Sequence, residues 1–352
     1  MDKFDIIEEI YERVLEQSKD GSHPEYLLDI TKSWRDGTWR MYTLVLDRAE
    51  YSFEGKVVLD FGCKYGHILP MFLALGASEA IGVDAEEVYV EPGAKFFSSI
   101  YPNIQIKQTM KGLIPLQPDS VDFVLINEVI SHVNYEYLDT VYREIARVLR
   151  PGGVVLISDG NNFGNIKYRQ GMASFWDKWE NGPDGVSTDR DTVGECYLSR
   201  RRRIIRSRVP EMSDSQVDIL ASNTSGLFGK TFEEAIDGYN RGEELIRRPY
   251  LTGLVPVNPA PSGVLIERGF HPLQVIADLA DVNIQGCQVF PTPPSKWENR
   301  GNPWNDIVDF IKWRLWGKES ERIRELFTPD EWRGGSESFM VRGVKLDLAS
   351  TN

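Results

Sequence analysis

The sequence is short of cysteine, and its three cysteines, Cys63, Cys196 and Cys287, lie far apart with no C-x-x-C pair among them. Closely spaced cysteines are the usual sign of a disulfide framework or a zinc site. Their absence favours reduced thiols, and with them a cytoplasmic location and a site without a metal ion.

Long apolar segments are also missing. No run of about 18 apolar residues occurs, and the first ten residues, MDKFDIIEEI, are acidic where a secretory signal would be basic and then continuously apolar. The sequence therefore predicts neither a membrane-spanning helix nor an exported protein.

Basic residues are too few to balance the acidic ones. The chain has 40 Lys and Arg against 53 Asp and Glu, a formal net charge of -13. Because phosphate backbones are bound mainly through positive charge, this balance argues against general nucleic-acid binding. The rest of the composition is that of a globular protein, so a small molecule is the expected partner.

Short apolar segments alternate regularly with helical segments between residues 57 and 158. Parallel strands joined by helical crossovers form a doubly wound α/β sheet, whose ligands sit at the carboxyl ends of the strands. The predicted strands cover residues 57–61, 80–84, 104–106, 121–126 and 154–158.

This alternation stops after Asn162, and about a hundred mainly helical, charge-rich residues follow before sheet-like sequence returns. Since this stretch is too long for a simple loop, we interpret it as an insertion that forms a lid. The predicted organisation is a helical amino-terminal extension (1–54), a cofactor-binding core (55–162), the insertion (163–262), a completion of the core (263–347) with a Pro- and Trp-rich excursion (291–335), and a tail (348–352).

The strongest local signal is the segment LDFGCKYGH at residues 59–67, where a strand meets a helix. Gly62 and Gly66 permit a sharp turn and a close backbone approach to a ligand, and the helix offers N–H groups at its amino terminus. Asp60 ends this strand and Asp84 ends the next, where a carboxylate can accept both hydroxyls of a ribose. A dinucleotide fingerprint is the alternative, but the first glycine of G-x-G-x-x-G is missing.

Four segments in this order resemble the class I S-adenosylmethionine-dependent methyltransferases, especially those that methylate small molecules and quinones: VLDFGCKYGH, IGVD, IPLQPDSVDFVLINEVISHV and REIARVLRPGGVVLIS. The resemblance implies a Rossmann-like seven-stranded sheet with an antiparallel last strand, formed here by residues 286–290 and 338–344. It also implies S-adenosyl-L-methionine as the cofactor, with Asp60, Gly62 and Gly66 around its methionine part and Asp84 on its ribose.

Two positions depart from the family pattern. Lys64 stands where the family often has glycine, and Gln108-Thr109-Met110 replaces an acid that usually contacts the adenine, which leaves this contact to backbone groups or to Thr109. The predicted cofactor-binding set is Asp60, Gly62, Cys63, Lys64, Gly66, His67, Asp84, Ala85, Thr109, Met110 and Asn127, with no metal ligand.

His132 and Asp159 are the candidate catalytic residues, because they follow the fourth and fifth strands and could orient or deprotonate an acceptor. His132 could equally cap a helix, and Asp159 could form an Asp-Gly turn. The six arginines between Arg200 and Arg208 could bind an anionic acceptor, with Arg201 and Arg202 as nominal choices, or form a solvated helix face.

These observations predict an enzyme that transfers a methyl group from S-adenosyl-L-methionine to an oxygen or nitrogen of a small molecule held under the insertion. Two alternatives stay open: a dinucleotide-binding oxidoreductase, and a protein that retains the cofactor for non-methyl chemistry or a non-catalytic role. NAD(P)H binding would identify the first, and a failure to produce S-adenosylhomocysteine would identify the second.

Overall fold

The computed structural model describes residues 38–47, 49–133, 135–187, 192–225, 227, 229–245, 254–260, 263–291 and 338–347, together with Glu9, Glu12 and Glu16. Most of the predicted amino-terminal extension, the Pro- and Trp-rich excursion and the tail lie outside these residues. The chain divides into two compact units, one with residues 1–130, 136–160 and 272–352 and the other with residues 131–135 and 161–271.

Five parallel strands form most of the sheet in the first unit: β1 (Val57–Phe61), β2 (Glu79–Asp84), β3 (Ile104–Gln108), β4 (Val121–Asn127) and β5 (Leu149–Asp159). The central strands are almost fully buried, as continuous β-branched and apolar runs predict for a sheet covered on both faces. Their carboxyl ends meet along one edge of the sheet, where ligands bind in this class of fold.

Two further strands, β10 (Ile284–Pro291) and β11 (Phe339–Lys345), complete a seven-stranded sheet with the order β10-β11-β5-β4-β1-β2-β3. β11 is antiparallel to both β5 and β10, which confirms the fold that the family resemblance implied. β5 begins earlier than predicted, because Pro151-Gly152-Gly153 continues the strand across a register shift in its pairing with β4.

Helices α1 (Thr38–Asp47), α2 (Leu69–Ala74), α3 (Glu87–Ile100) and α4 (Tyr135–Val148) accompany these strands. Phe53 and Phe72 pack around Phe123 of β4, with ring centroids 5.0 Å and 6.2 Å from it, inside one continuous apolar core. This core fixes the strands rigidly beneath the loops at their carboxyl ends.

The second unit contains helices α5 (Ile166–Glu180), α6 (Tyr197–Arg208), α7 (Asp214–Asn223) and α8 (Gly229–Asn240). Its core is built from apolar side chains of α6, α7 and α8, including Ile205, Leu220 and Ile236. Two antiparallel pairs interrupt the helices: β6 (Val186–Ser187) with β7 (Thr192–Val193), and β8 (Leu254–Ala260) with β9 (Gly263–Arg268). The chain returns to the first unit with helix α9 (Pro272–Asp281).

The arginines of α6 face carboxylates of the same unit rather than an open anion site. Arg201 forms a buried pair with Glu180 of α5 and donates from Nε to the carbonyl of Ala221 at 2.8 Å. The others pair near the surface: Arg200 and Arg203 with Glu195, Arg202 with Asp218, Arg206 with Asp214, and Arg208 with Asp237. Each guanidinium thus contacts a carboxylate, with Glu195 shared by Arg200 and Arg203, and this favours the interpretation of the cluster as an ion-paired helix face. Binding of an anionic acceptor by these arginines stays a prediction.

Candidate functional site

The loop after β1 is held against the end of β2 by backbone hydrogen bonds. The N–H groups of Gly62 and Cys63 both donate to the carbonyl of Val83, at 2.7 Å and 3.1 Å. The β1–β2 register pairs Asp60 with Gly82, so the chain turns directly above the neighbouring strand. The carboxylates of Asp60 and Asp84 are thereby brought to the same edge of the sheet.

Asp84 anchors the loop with both of its carboxylate oxygens. Oδ2 accepts the backbone N–H of Lys64 at 2.8 Å, and Oδ1 accepts the N–H of Glu86 at 3.0 Å. Lys64 has a left-handed backbone with φ of 49°, a conformation that glycine adopts at no steric cost and other residues adopt rarely. The glycine that the family often has at position 64 is thus replaced by a lysine whose strain the Asp84 contact offsets.

Gly62 and Gly66 are required both by their backbone angles and by their neighbours. Each has a φ of 83°. A Cβ on Gly62 would lie 2.4 Å from a methyl group of Val129, and one on Gly66 would lie 2.5 Å from Ile106. Protein side chains fill the space beside both glycines, so a larger residue at either position would displace the loop or its neighbours.

Asp60 is the most unusual carboxylate of the described residues. It is 3% exposed, and among those residues no group donates a hydrogen bond to its Oδ2 atom. Burial, together with the nearby charge of Asp84, raises the pKa of Asp60 to about 7. A buried acceptor without a donor is costly, and it favours a ligand that brings a positively charged donor.

Tyr42, on α1, is a member of this site that the sequence did not indicate. Burial and the charges of Asp60 and Glu128 raise its pKa above the ordinary range. Its ring meets that of His67 edge-on, with centroids 5.9 Å apart. His67 itself is neutral at pH 7, because burial and the charge of Lys64 lower its pKa to about 4.

The loops after β2 and β3 form the other side of the site. Thr109 is buried, donates its hydroxyl to the carbonyl of Leu113 at 2.6 Å, and donates its N–H to the carbonyl of Asp84. Gln108 donates from Nε2 to the carbonyl of Ala85 at 3.2 Å. Met110 and Leu113 are 69% and 56% exposed and form an apolar surface beside these hydrogen bonds.

The ends of β4 and β5 are joined around Asp159. Asn127 pairs with Ser158 in the strand register. Glu128 follows Asn127 and has a left-handed backbone with φ of 55°. Its N–H donates to the carbonyl of Ser158 at 2.7 Å, and its carboxylate accepts the N–H of Gly160 at 3.0 Å. Asp159, fully buried between these two contacts, therefore has a fixed backbone.

His132 ends a short 3-10 turn, Ile130–His132, and its side chain is exposed. Residues 131–135 belong to the second unit, whereas Asp159 belongs to the first. Catalytic roles for His132 and Asp159 stay predictions. Within the described ranges, no group of three or more His, Cys, Asp or Glu side chains is arranged to hold a metal ion.

Residues 58–153 match a family model described as a methyltransferase domain. This match covers β1 to β4 except Val57, the first residues of β5, the glycine loop and both aspartates of the site. Over residues 58–153 the chain is thus similar to S-adenosylmethionine-dependent methyltransferases, and we call this stretch the methyltransferase domain.

Curated proteins similar to this methyltransferase domain differ in what they methylate. A "Probable S-adenosylmethionine-dependent methyltransferase" of Mycolicibacterium smegmatis is 33% identical over 35% of this chain and 45% of its own length. A ubiquinone biosynthesis O-methyltransferase of Chelativorans sp. is 29% identical over 32% and 44%. Protein arginine N-methyltransferase 1 of Dictyostelium discoideum is 40% identical over 30% and 31%. The matched part spans less than half the length of each relative.

The residues of the methyltransferase domain fit S-adenosyl-L-methionine. The unsatisfied Oδ2 of Asp60 suits the ammonium group of the cofactor's methionine part. Each oxygen of Asp84 already accepts one N–H, but a carboxylate oxygen has two lone pairs, so both can still accept a ribose hydroxyl. The exposed Met110 and Leu113 offer an apolar surface for the flat adenine.

One expectation for the loop of the methyltransferase domain has to be corrected. The helix after the glycines was expected to offer N–H groups at its amino terminus. α2 spans only Leu69–Ala74, the N–H of Leu69 donates to Gly66, that of Met71 donates to Ile68, and Pro70 has none. These donors are therefore used within the chain, which leaves the carboxylates at the strand ends as the predicted contacts for the cofactor.

Cys63 and its neighbours support the loop from inside. The Cys63 thiol is buried, and a Cβ on Gly82 would lie 2.5 Å from its sulfur. Burial and the charges of Asp60 and Asp84 raise the pKa of Cys63 well above its ordinary value. This cysteine therefore stays a thiol that packs under the loop of the methyltransferase domain.

Proposed function

We propose that this chain transfers a methyl group from S-adenosyl-L-methionine to an oxygen or nitrogen of a small molecule. The observation that carries the proposal is the pair Asp60 and Asp84, which flank a glycine loop within the methyltransferase domain. The similarity to a ubiquinone biosynthesis O-methyltransferase favours an oxygen acceptor, although an arginine N-methyltransferase is also among the similar proteins. The acidic net charge favours a small acceptor over a nucleic acid.

The bound cofactor supplies a sulfonium methyl group that is already activated toward a nucleophile. The chain has to hold the cofactor, align the acceptor and, for a hydroxyl, remove a proton. Asp60 holds the ammonium group of the cofactor's methionine part, and Asp84 holds the ribose. Asp159, buried at the end of β5, and His132, exposed after β4, are the candidates for accepting the proton.

The first test is calorimetric titration with S-adenosyl-L-methionine and with S-adenosylhomocysteine, and fluorescence titration with NADH. We expect binding of the first two ligands and none of NADH. Folded protein that binds NADH and neither of the others would establish the oxidoreductase alternative.

The second test follows tritium from the methyl group of the cofactor into phenols, quinols and amines. Transfer that is lowered about 10²- to 10⁴-fold by His132→Ala or by Asp159→Asn, with unchanged cofactor affinity, would identify the proton acceptor. If both variants keep full turnover, alignment alone accounts for the reaction. Cofactor binding without S-adenosylhomocysteine formation from any acceptor would favour the non-methyl or non-catalytic alternative.

A further inference from the structure

Negative charge is concentrated around one buried carboxyl group of the candidate cofactor site. Asp60 lies in the centre of the sheet, between β2 and β4, and is 3% exposed. The charged group that acts on it, among the described residues, is the like-charged Asp84 at the end of β2. Two neighbouring carboxylates that are both buried cannot both be ionised without a large cost.

The other groups around Asp60 do not relieve this cost. Tyr42 of α1 and Cys63 of the loop each interact with the Asp60 charge, and both are neutral at pH 7, because their pKa values are raised. His67 is neutral as well, since its pKa is lowered to about 4, and Glu128 after β4 adds a further negative charge beside Tyr42. The positive charge of Lys64 lowers the pKa of His67, but it is not among the causes of the shift at Asp60.

From this arrangement we infer that, at mildly acidic pH, Asp60 carries a proton in the cofactor-free protein and exchanges it for the α-ammonium group of the cofactor. Asp60 then acts as the residue that makes recognition depend on that ammonium group. The proton leaves the Asp60 carboxyl group for solvent, and the N–H donors of the ammonium group take its place at Oδ2. The inference rests on the proposed function, because it assumes that the cofactor is an α-amino acid derivative.

The exchange has a defined sign at each pH. Because the pKa of Asp60 is raised to about 7, Asp60 is about nine-tenths protonated at pH 6 and loses this proton when the ammonium group binds. An α-amino group has an ordinary pKa of about 7.7 to 8.0, so near pH 8.5 the cofactor itself must take up a proton in order to bind as an ammonium ion. Binding should thus release a proton at pH 6 and take one up at pH 8.5.

Calorimetry in pairs of buffers with different ionisation enthalpies counts these protons. For S-adenosyl-L-methionine and the wild-type protein at pH 6, we expect release of about 0.9 proton, and an affinity about fivefold weaker than at pH 7. Asp60→Asn should release none at pH 6 but still take up a proton at pH 8.5. 5′-Methylthioadenosine, which has the nucleoside but no amino acid part, should bind the wild type without proton release.

The outcomes separate the inference from the proposed function. S-Adenosyl-L-methionine that binds the wild type at pH 6 without proton release, or with equal release in Asp60→Asn, would overturn the inference and leave the cofactor assignment intact. Folded wild type that binds no S-adenosyl-L-methionine at pH 7.5 would overturn the proposed function instead. If Asp60→Asn does not fold, the wild-type proton count and the 5′-methylthioadenosine comparison still decide, because equal release with both ligands contradicts the inference.

Discussion

Asp60 and Asp84 carry the same functional group, but their surroundings give them different tasks. Asp84 accepts two backbone N–H groups, which hold the glycine loop at the end of β2. Asp60 is buried without a donor to Oδ2, so we expect a ligand to bring a positively charged donor to this atom. The sequence indicated both residues and their strand ends, but not this difference, because the donors to Asp84 come from residues 20 positions away and 2 positions away.

Asp84→Ala should weaken S-adenosyl-L-methionine binding about ten- to a hundredfold, since it removes charge-assisted contacts to ribose worth about 1.5 to 3 kcal/mol and frees the N–H of Lys64. Asp84→Asn is the matched control, because its side chain keeps one oxygen acceptor and should lose less affinity. Calorimetry at pH 7.5 measures both. An alanine variant with wild-type affinity would contradict the role of Asp84.

Gly62→Ala should destabilise the domain and abolish cofactor binding. It places a methyl group 2.4 Å from Val129, on a backbone with φ of 83°. Gly152→Ala separates the two causes, because Gly152 has a similar φ of 77° but nothing within 4 Å of the position that an added Cβ would take. We expect about 1 kcal/mol of destabilisation for Gly152→Ala, from backbone strain alone, and at least about 1 to 3 kcal/mol more for Gly62→Ala. Equal losses in urea unfolding would show that the Val129 contact is unimportant.

At the scale of elements, β4 and β5 end in a contact that local sequence does not indicate. Glu128 holds Ser158 with its N–H and Gly160 with its carboxylate, on either side of Asp159. Its left-handed backbone has the strain that folded proteins tolerate where surrounding contacts fix it, often near functional sites. Apolar patterns predict where a strand lies, whereas this contact depends on two strands that meet only after folding.

Glu128→Ala should release the N–H of Gly160 and loosen the end of β5. We expect a loss of about 1 kcal/mol in the free energy of unfolding and faster amide hydrogen exchange at Gly160. Glu128→Gln keeps an oxygen that can accept this N–H and should retain most of the protection. If Gly160 exchanges equally fast in the wild type and in both variants, the contact does not fix the Asp159 backbone in solution.

At the scale of the whole molecule, the sequence predicts the sheet better than the second unit. Buried parallel strands are almost purely apolar, so β1, β2 and β4 are evident from composition alone. β8, with the sequence LVPVNPA, contains two prolines and does not resemble a strand, yet it pairs with β9 in a two-stranded sheet. The two strands form a hairpin in which Ala260 pairs with Gly263, so pairing with the adjoining strand, rather than propensity, determines this segment.

The arginines of α6 are paired with acidic side chains, an arrangement that the composition alone does not reveal. The net charge is -13, and the arginines of α6 form the most basic segment of the chain, yet each of them contacts an acid. Arg201 and Glu180 are buried, with side chains 5% and 1% exposed, so their pairing replaces the water that both ions lose. The remaining pairs are largely solvent-exposed and contribute little to stability.

Arg201→Leu should therefore destabilise the second unit by about 3 to 5 kcal/mol, because it leaves Glu180 as a buried charge without its partner and the carbonyl of Ala221 without its donor. The double variant Glu180→Leu with Arg201→Leu removes the uncompensated charge and should regain part of this loss, since buried pairs are often replaceable by apolar side chains.

The matched control is Arg206→Ala. Arg206 lies on the same helix but is half-exposed beside Asp214, so this change should cost no more than about 0.5 kcal/mol. Chemical unfolding followed by tryptophan fluorescence, to which the buried Trp179 contributes, measures all three variants. A loss for Arg201→Leu no larger than that for Arg206→Ala would mean that the interior pair does not hold α5 and α6 together.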